Sequence, residues 1–229
     1  MRAGRRSSTR RHHHDGTAPP ADARMAHHPP HPGAPALVID ALSLVFPLIC
    51  GYLLGSVSSA IICCRALGRT DPRTGGSGNP GATNVLRLAG RDAAALTLAG
   101  DVAKGALAVA IAWALGAEPL VQALAGAAAF LGHLYPVFFG FRGGKGVATA
   151  LGALLVATPV AGLLTVTTWG IAWAIVRISA AAALTAFLLA PVYVGLTTHQ
   201  PALVIVAAAV SILLFWRHRA NIRDLLGKR

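Results

Sequence analysis

The amino-acid sequence predicts an all-α, polytopic membrane protein with about seven transmembrane helices and polar loops that form a site on one face. Three observations carry this. Hydrophobic residues make up 55% of the 229 and charged residues only 12%, about half the charge usual in a soluble domain. The charge is clustered: from Val147 to Trp216, seventy residues, Arg177 is the only Lys, Arg, Asp or Glu. Long apolar runs alternate with short polar ones, and a hydrocarbon core asks for roughly 20 apolar residues per helix.

Residues 1–36 are rich in Arg, His, Pro and Ala without periodicity, so a disordered extension is expected there, ahead of a membrane domain over 37–229. No apolar core follows its arginines closely, which excludes a signal peptide. A translation start at Met25 would leave residues 1–24 outside the protein. The run His12–His14 is compositional evidence only, and no metal site is assigned from it.

The apolar segments are 37–64, 93–115, 119–139, 147–162, 163–176, 178–197 and 202–216. The positive-inside rule orients them. Linker 65–92 carries Arg65, Arg69, Arg73, Arg87 and Arg91, loop 140–146 carries Arg142 and Lys145, and the C-terminus carries Arg217, Arg219, Arg223, Lys228 and Arg229. All three are expected on the cytoplasmic side. Segments 116–118 and 198–201 hold Glu118 and no Lys or Arg, so they face outward. An odd number of crossings then separates loop 140–146 from 198–201. Three crossings put Arg177 inside and make seven helices, N-terminus out and C-terminus in.

The net charge of +12 fits this distribution and an anionic ligand at a lipid boundary, and nucleic acid is excluded as a partner. Cys50, Cys63 and Cys64 lie in the first apolar segment, odd in number and without metal spacing, which predicts free, buried thiols.

Three polar clusters carry the candidate chemistry. In "GGSGNPGATNVLRLAG", residues 75–90, Gly75, Gly76, Gly78 and Gly81 permit close backbone approach. Ser77, Asn79, Thr83 and Asn84 offer neutral hydrogen-bond groups, and Arg87 a guanidinium. That set suits a phosphate, and a 28-residue linker is long for a mere connection. In "FFGFRGGKGVATALG", residues 138–152, Gly140, Gly143, Gly144 and Gly146 bracket Arg142 and Lys145 just before a helix, another anion-binding arrangement. Gly146 follows Lys145 where a Walker A loop needs Ser or Thr, so nucleotide hydrolysis is not indicated. In "WRHRANIRD", residues 216–224, His218 and Asn221 share a helical face. Taken alone, this third stretch also reads as an interfacial belt of His and Arg.

Asp101 and Lys104 stand three apart inside an apolar helix and are expected to pair. Structural pairing and support of the site both stay open for them. His133 reads as structural.

In this order the clusters resemble the bacterial acyl-phosphate:glycerol-3-phosphate acyltransferase family, through "GYLLGSVSSA", "GGSGNPGATNVLRLAG", "GHLYPVFFGFRGGKGVATALG" and "RHRANI". The resemblance runs from about residue 48 to the C-terminus. It implies a seven-helix inner-membrane enzyme that moves a fatty acyl group from acyl phosphate to the sn-1 hydroxyl of glycerol 3-phosphate. The products would be lysophosphatidic acid and inorganic phosphate, with no coenzyme A and no cofactor. It implies catalytic roles for Ser77, Arg87, Lys145, His218 and Asn221. Substrate contacts would come from Gly78, Asn79, Gly81, Thr83, Asn84, Arg142, Gly143, Gly144, Gly146 and Ser179. The expected partners are the two substrates and membrane lipid, with a monomer favoured.

The chain departs from the family pattern at Asp224, where a basic residue is common, and by ending "LLGKR" without a glutamate. Five residues separate His218 from Asp224, so the His-x4-Asp motif of coenzyme-A-dependent acyltransferases is not matched. The rival class is a phosphate-ester transporter. Against it stand the gathering of all three clusters on one face and the lack of an internal repeat.

Overall fold

The computed structural model describes the backbone of residues 34–227 and the side chains of residues 42–227. Of the extension expected to be disordered, 1–36, the part up to residue 33 lies outside the described residues, as does the alternative start at Met25. All regular structure among the described residues is helical. It comprises α1 (Ala34–Gly55), α2 (Ser59–Ala66), α3 (Ala82–Ala89), α4 (Arg91–Ala114), α5 (Pro119–Leu134), α6 (Val147–Ala157), α7 (Pro159–Val176), α8 (Ser179–Thr198), α9 (Pro201–Arg217) and α10 (Arg219–Leu225), with a 3-10 turn at Val137–Phe139. Helix α1 already runs from Ala34, three residues before the expected boundary.

Every expected apolar segment is mainly helical, with 37–64 broken at 56–58 and 119–139 at 135–136. Five spans are long and apolar enough to cross a membrane: Leu42–Ala66, Arg91–Ala114, Pro119–Phe139, Pro159–Val176 and Ser179–Thr198. Helices α9 and α10, bent by 62° at His218, supply a sixth if taken together. The protein is an integral membrane protein. Helix α6 differs from the expectation: its 11 residues reach roughly 16 Å, about half of a 30 Å hydrocarbon core. The cause is Pro159, which forces Thr158 out of helical geometry (φ −142°, ψ 77°) and opens α7 at its own first position. The break therefore falls at Thr158 rather than between 162 and 163.

Small residues set the packing. A side-chain carbon at Gly51 would strike the Ala125 carbonyl, one at Gly55 the Ala129 carbonyl, and one at Gly132 the backbone of Tyr52 and Ser56. Position rises with position along both helices, so α1 runs parallel to α5 at backbone contact. Gly105 and Gly152 bring α4 and α6 together in the same way. Apolar attraction between helices is weak in lipid, so close backbone approach is what holds such helices. Phe130, Leu134, Phe187 and Leu214 fill the centre between α5, α6, α8 and α9.

The two ends of the bundle differ. Helices α5, α7 and α9 each begin with proline, at Pro119, Pro159 and Pro201, and the turns there are short. The glycine-rich loops, the Arg177 turn and the α9–α10 corner sit together at the other end. Thr83 Oγ1 donates to Ser179 Oγ at 3.4 Å, and Lys145 Nζ donates to Asn221 Oδ1.

Candidate functional site

The first loop is built around one amide. Asn84 is buried on α3, its Nδ2 donating to the carbonyls of Pro72 (2.9 Å) and Gly75 (3.2 Å) while its Oδ1 accepts from the Ser77 amide at 3.0 Å. The Asn84 amide, expected at the phosphate site, bonds the loop's own backbone and shapes it. Arg73 ties the loop down. Its guanidinium pairs with Asp71 at 2.7 Å and donates to the Phe139 carbonyl at 3.3 Å, joining the first loop to the second. The Arg73 side-chain hydrogen bonds to its carboxylate hold the Asp71 carboxyl below its ordinary range.

The second loop is held between two residues. After Gly140 the chain presses onto the end of α5: a side chain at Gly143 would meet the His133 and Leu134 carbonyls, and one at Gly144 the His133 ring. The Gly144 amide donates to the His133 carbonyl at 3.1 Å. From the other side Arg217 donates through Nη2 to the Gly143 (3.0 Å) and Gly144 (2.9 Å) carbonyls and through Nε to Gly144 at 3.2 Å. Its guanidinium also stacks 5.6 Å from the Tyr135 ring centre. Gly146, at φ +82°, turns the chain into α6, and a side chain there would enter Phe130 and Leu134. Gly144 and Gly146 are both buried and support the loop from within.

Lys145 projects from this loop, half-buried, with Asn221 as its hydrogen-bond partner. Burial, then the positive charges of Arg217 and Arg87, hold its ammonium below the ordinary lysine range. His218 is 3% exposed, and its Nδ1 lies 2.8 Å from the Leu214 carbonyl. A carbonyl can only accept, so Nδ1 carries the proton and Nε2 keeps its lone pair.

A cavity of about 270 Å³ opens where the three clusters meet, lined by Ser77, Gly78, Asn79, Gly143, Lys145, Arg217, Arg219, Ala220 and Arg223. Four cations and no carboxylate line it, an arrangement that an anion relieves. Of the residues expected to carry the site, Ser77, Gly78, Asn79, Gly143 and Lys145 meet there. Asn221 and His218 stand behind the lysine, and Arg87 contributes charge from an exposed position on α3. Gly81 caps α3. Thr83 and Ser179 pair beside it, and Arg142 is exposed outside the lining. Sequence reasoning missed Arg217, Arg219 and Arg223. Their spacing on either side of the His218 bend was the available signal. A second, smaller cavity of about 50 Å³ is apolar and runs between α5, α6, α8 and α9, from Phe130 and Ala150 to Thr158 and Leu203.

Residues 45–228 match the family described as glycerol-3-phosphate acyltransferase. The glycerol-3-phosphate acyltransferase of Thioalkalivibrio sulfidiphilus is 56% identical over 175 residues, 76% of this chain and 86% of that protein. That of Halorhodospira halophila is 52% identical over 178 residues, 78% of this chain and 90% of the other. Among solved structures, the integral membrane glycerol 3-phosphate acyltransferase PlsY (YgiH) in its glycerol 3-phosphate form superposes with a TM-score of 0.76 at 37% identity, covering 82% of this chain and 94% of that one. Its lysophosphatidic acid form gives 0.74 at 36%. With the family matched over residues 45–228, and these two relatives more than half identical, this chain belongs to the glycerol-3-phosphate acyltransferase family.

Proposed function

We propose that the protein transfers a fatty acyl group from acyl phosphate to the sn-1 hydroxyl of glycerol 3-phosphate, releasing inorganic phosphate and lysophosphatidic acid. The observation that carries this is the cavity lined by Lys145, Arg217, Arg219 and Arg223 with no carboxylate. Such a cavity favours phosphorylated ligands, and the reaction needs two of them side by side. The hydroxyl oxygen attacks the carbonyl carbon, the bond from that carbon to the phosphate oxygen breaks, and the phosphate leaves with the electron pair. The departing phosphate takes the hydroxyl proton, so no strong base is required. The donor is a mixed anhydride and already activated, leaving the protein to supply proximity and charge.

In this reading Lys145 and the arginines offset phosphate charge, while Ser77, Gly78 and Asn79 contact substrate from the first loop. Asn221 aims Lys145. His218, with its Nδ1 proton fixed on Leu214, orients the site rather than accepting the reacting proton. The protein acts as a monomer in the inner membrane with the loop end facing the cytoplasm, where Arg and Lys cluster. No cofactor takes part.

The test is phosphate release from palmitoyl phosphate by purified protein. Release that requires glycerol 3-phosphate and yields lysophosphatidic acid is expected, with Lys145→Ala reduced at least about 100-fold. Folded protein that does not turn over, but carries glycerol 3-phosphate into liposomes, would instead be a transporter.

A further inference from the structure

Behind the lysine loop lies a buried polar cluster that the reaction does not use. Asp101 and Lys104 form the expected pair, Nζ to Oδ1 2.9 Å, both almost fully buried in α4. Lys104 Nζ also donates to the Val57 carbonyl at 2.9 Å, a group freed where the chain breaks between α1 and α2. His133 Nδ1 lies 3.5 Å from Asp101 Oδ1 and 3.3 Å from Thr149 Oγ1 on α6. Asp101 Oδ1 is buried, and despite these neighbours it has no well-aligned hydrogen-bond donor. The far edge of the His133 ring abuts Gly144.

We propose that His133, held by Asp101, Lys104 and Thr149, is a positioning residue for the phosphate loop. Packing alone gives a poor account of the cluster. Two charges in the middle of an apolar helix are costly, and an apolar pair of similar volume often stabilises as well or better. What the charges add is direction. The cluster joins the α1–α2 break, α4, α5 and α6 at one point, and the free face of that point is the backbone of Gly144, next to Lys145. Arg217 grips the same loop from above through its carbonyls. The loop is clamped between the two, and the position of Lys145 follows from the clamp. The inference rests on the phosphate-binding role proposed for Lys145.

Two variants test it. His133→Asn keeps an amide near the Nδ1 position for Asp101 and Thr149 but removes the ring edge that meets Gly144. The double variant Asp101→Asn/Lys104→Met removes both buried charges together, leaving neither unpaired. For each folded variant, three quantities are measured: the unliganded Tm in detergent, the Tm rise given by glycerol 3-phosphate and by inorganic phosphate, and KM against kcat. The proposal expects an unliganded Tm within a few degrees of wild type, KM for glycerol 3-phosphate raised about tenfold or more, matching loss of Tm protection, and kcat lowered less than about threefold. A lower Tm with unchanged KM and protection would make the cluster a packing pin and overturn it, as would wild-type values throughout. If one variant does not fold, the other is decisive. Protection needs no turnover, so wild type protected by phosphate yet inactive would sink the acyl-transfer reading while leaving this one measurable. Wild type unprotected by either ligand would overturn this one.

Discussion

Lys145 carries a charge that its surroundings resist. It is half-buried, faces Arg217 and Arg87, and has a neutral amide as its hydrogen-bond partner. The ligand-free ammonium therefore releases its proton at a lower pH than a free lysine. The sign for binding follows. Attraction for a phosphate dianion is complete below that lowered pKa and is lost as pH rises through it. The phosphate itself is largely dianionic above about pH 6. Tm protection by glycerol 3-phosphate should thus rise from pH 5 to 7 and fall again on the alkaline side before pH 10.5. In Lys145→Arg, whose guanidinium stays protonated, the alkaline fall should disappear; its persistence would place the titration on another group. At this scale the sequence was only partly legible. Lys145 stood out because glycines isolate it, whereas Asn84 among glycines looks the same whether its amide meets a ligand or its own loop. Arg217 looked like any membrane-boundary arginine, because its partners are the carbonyls of residues more than seventy positions away.

Among the helices, legibility depended on whether the signal was local. The apolar runs are local and appear as helices, with α5 starting at Pro119 as expected but α7 at Pro159 instead of 163. The end of α6 was legible too, since Thr158-Pro159 marks it, but uniform hydrophobicity across 147–176 hid the marker. Which glycines lie at helix contacts depends on neighbours that sequence does not display. Gly55 and Gly170 make the contrast testable. Both are helical, but a methyl at Gly55 would enter the Ala129 carbonyl, whereas one at Gly170 meets nothing within 4 Å. Gly55→Ala should cost about 1–3 kcal/mol and lower the Tm in detergent. Gly170→Ala should be neutral or stabilise by up to about 1 kcal/mol. Equal effects would show that α1 and α5 are not in backbone contact.

For the molecule as a whole, fold and orientation are separate questions. The fold puts residues 142 and 224 at the loop end and residues 118 and 200 at the proline end. The proposed orientation, read from the distribution of Arg and Lys, puts the loop end in the cytoplasm, the side from which a soluble phosphorylated substrate would reach the cavity. Single cysteines at these four positions separate the two statements, once Cys50, Cys63 and Cys64, which are free thiols, have been replaced. A membrane-impermeant thiol reagent on intact cells should label Glu118→Cys and Gln200→Cys. Arg142→Cys and Asp224→Cys should react only after permeabilisation. The inverse pattern would keep the fold and reverse the orientation, leaving the cavity open to the outside. Labelling that split either pair would contradict the fold itself, because the short α6 and the full-length α7 could no longer return the chain to the loop end. The half-length of α6 adds a graded expectation. Packed beside α7, it begins roughly 10 Å short of the Arg177 turn, from the seven-residue difference in their lengths. In permeabilised cells a cysteine at Val147 should therefore react more slowly than one at Arg142. Equal rates would place the start of α6 at the membrane surface and the phosphate site outside the hydrocarbon layer.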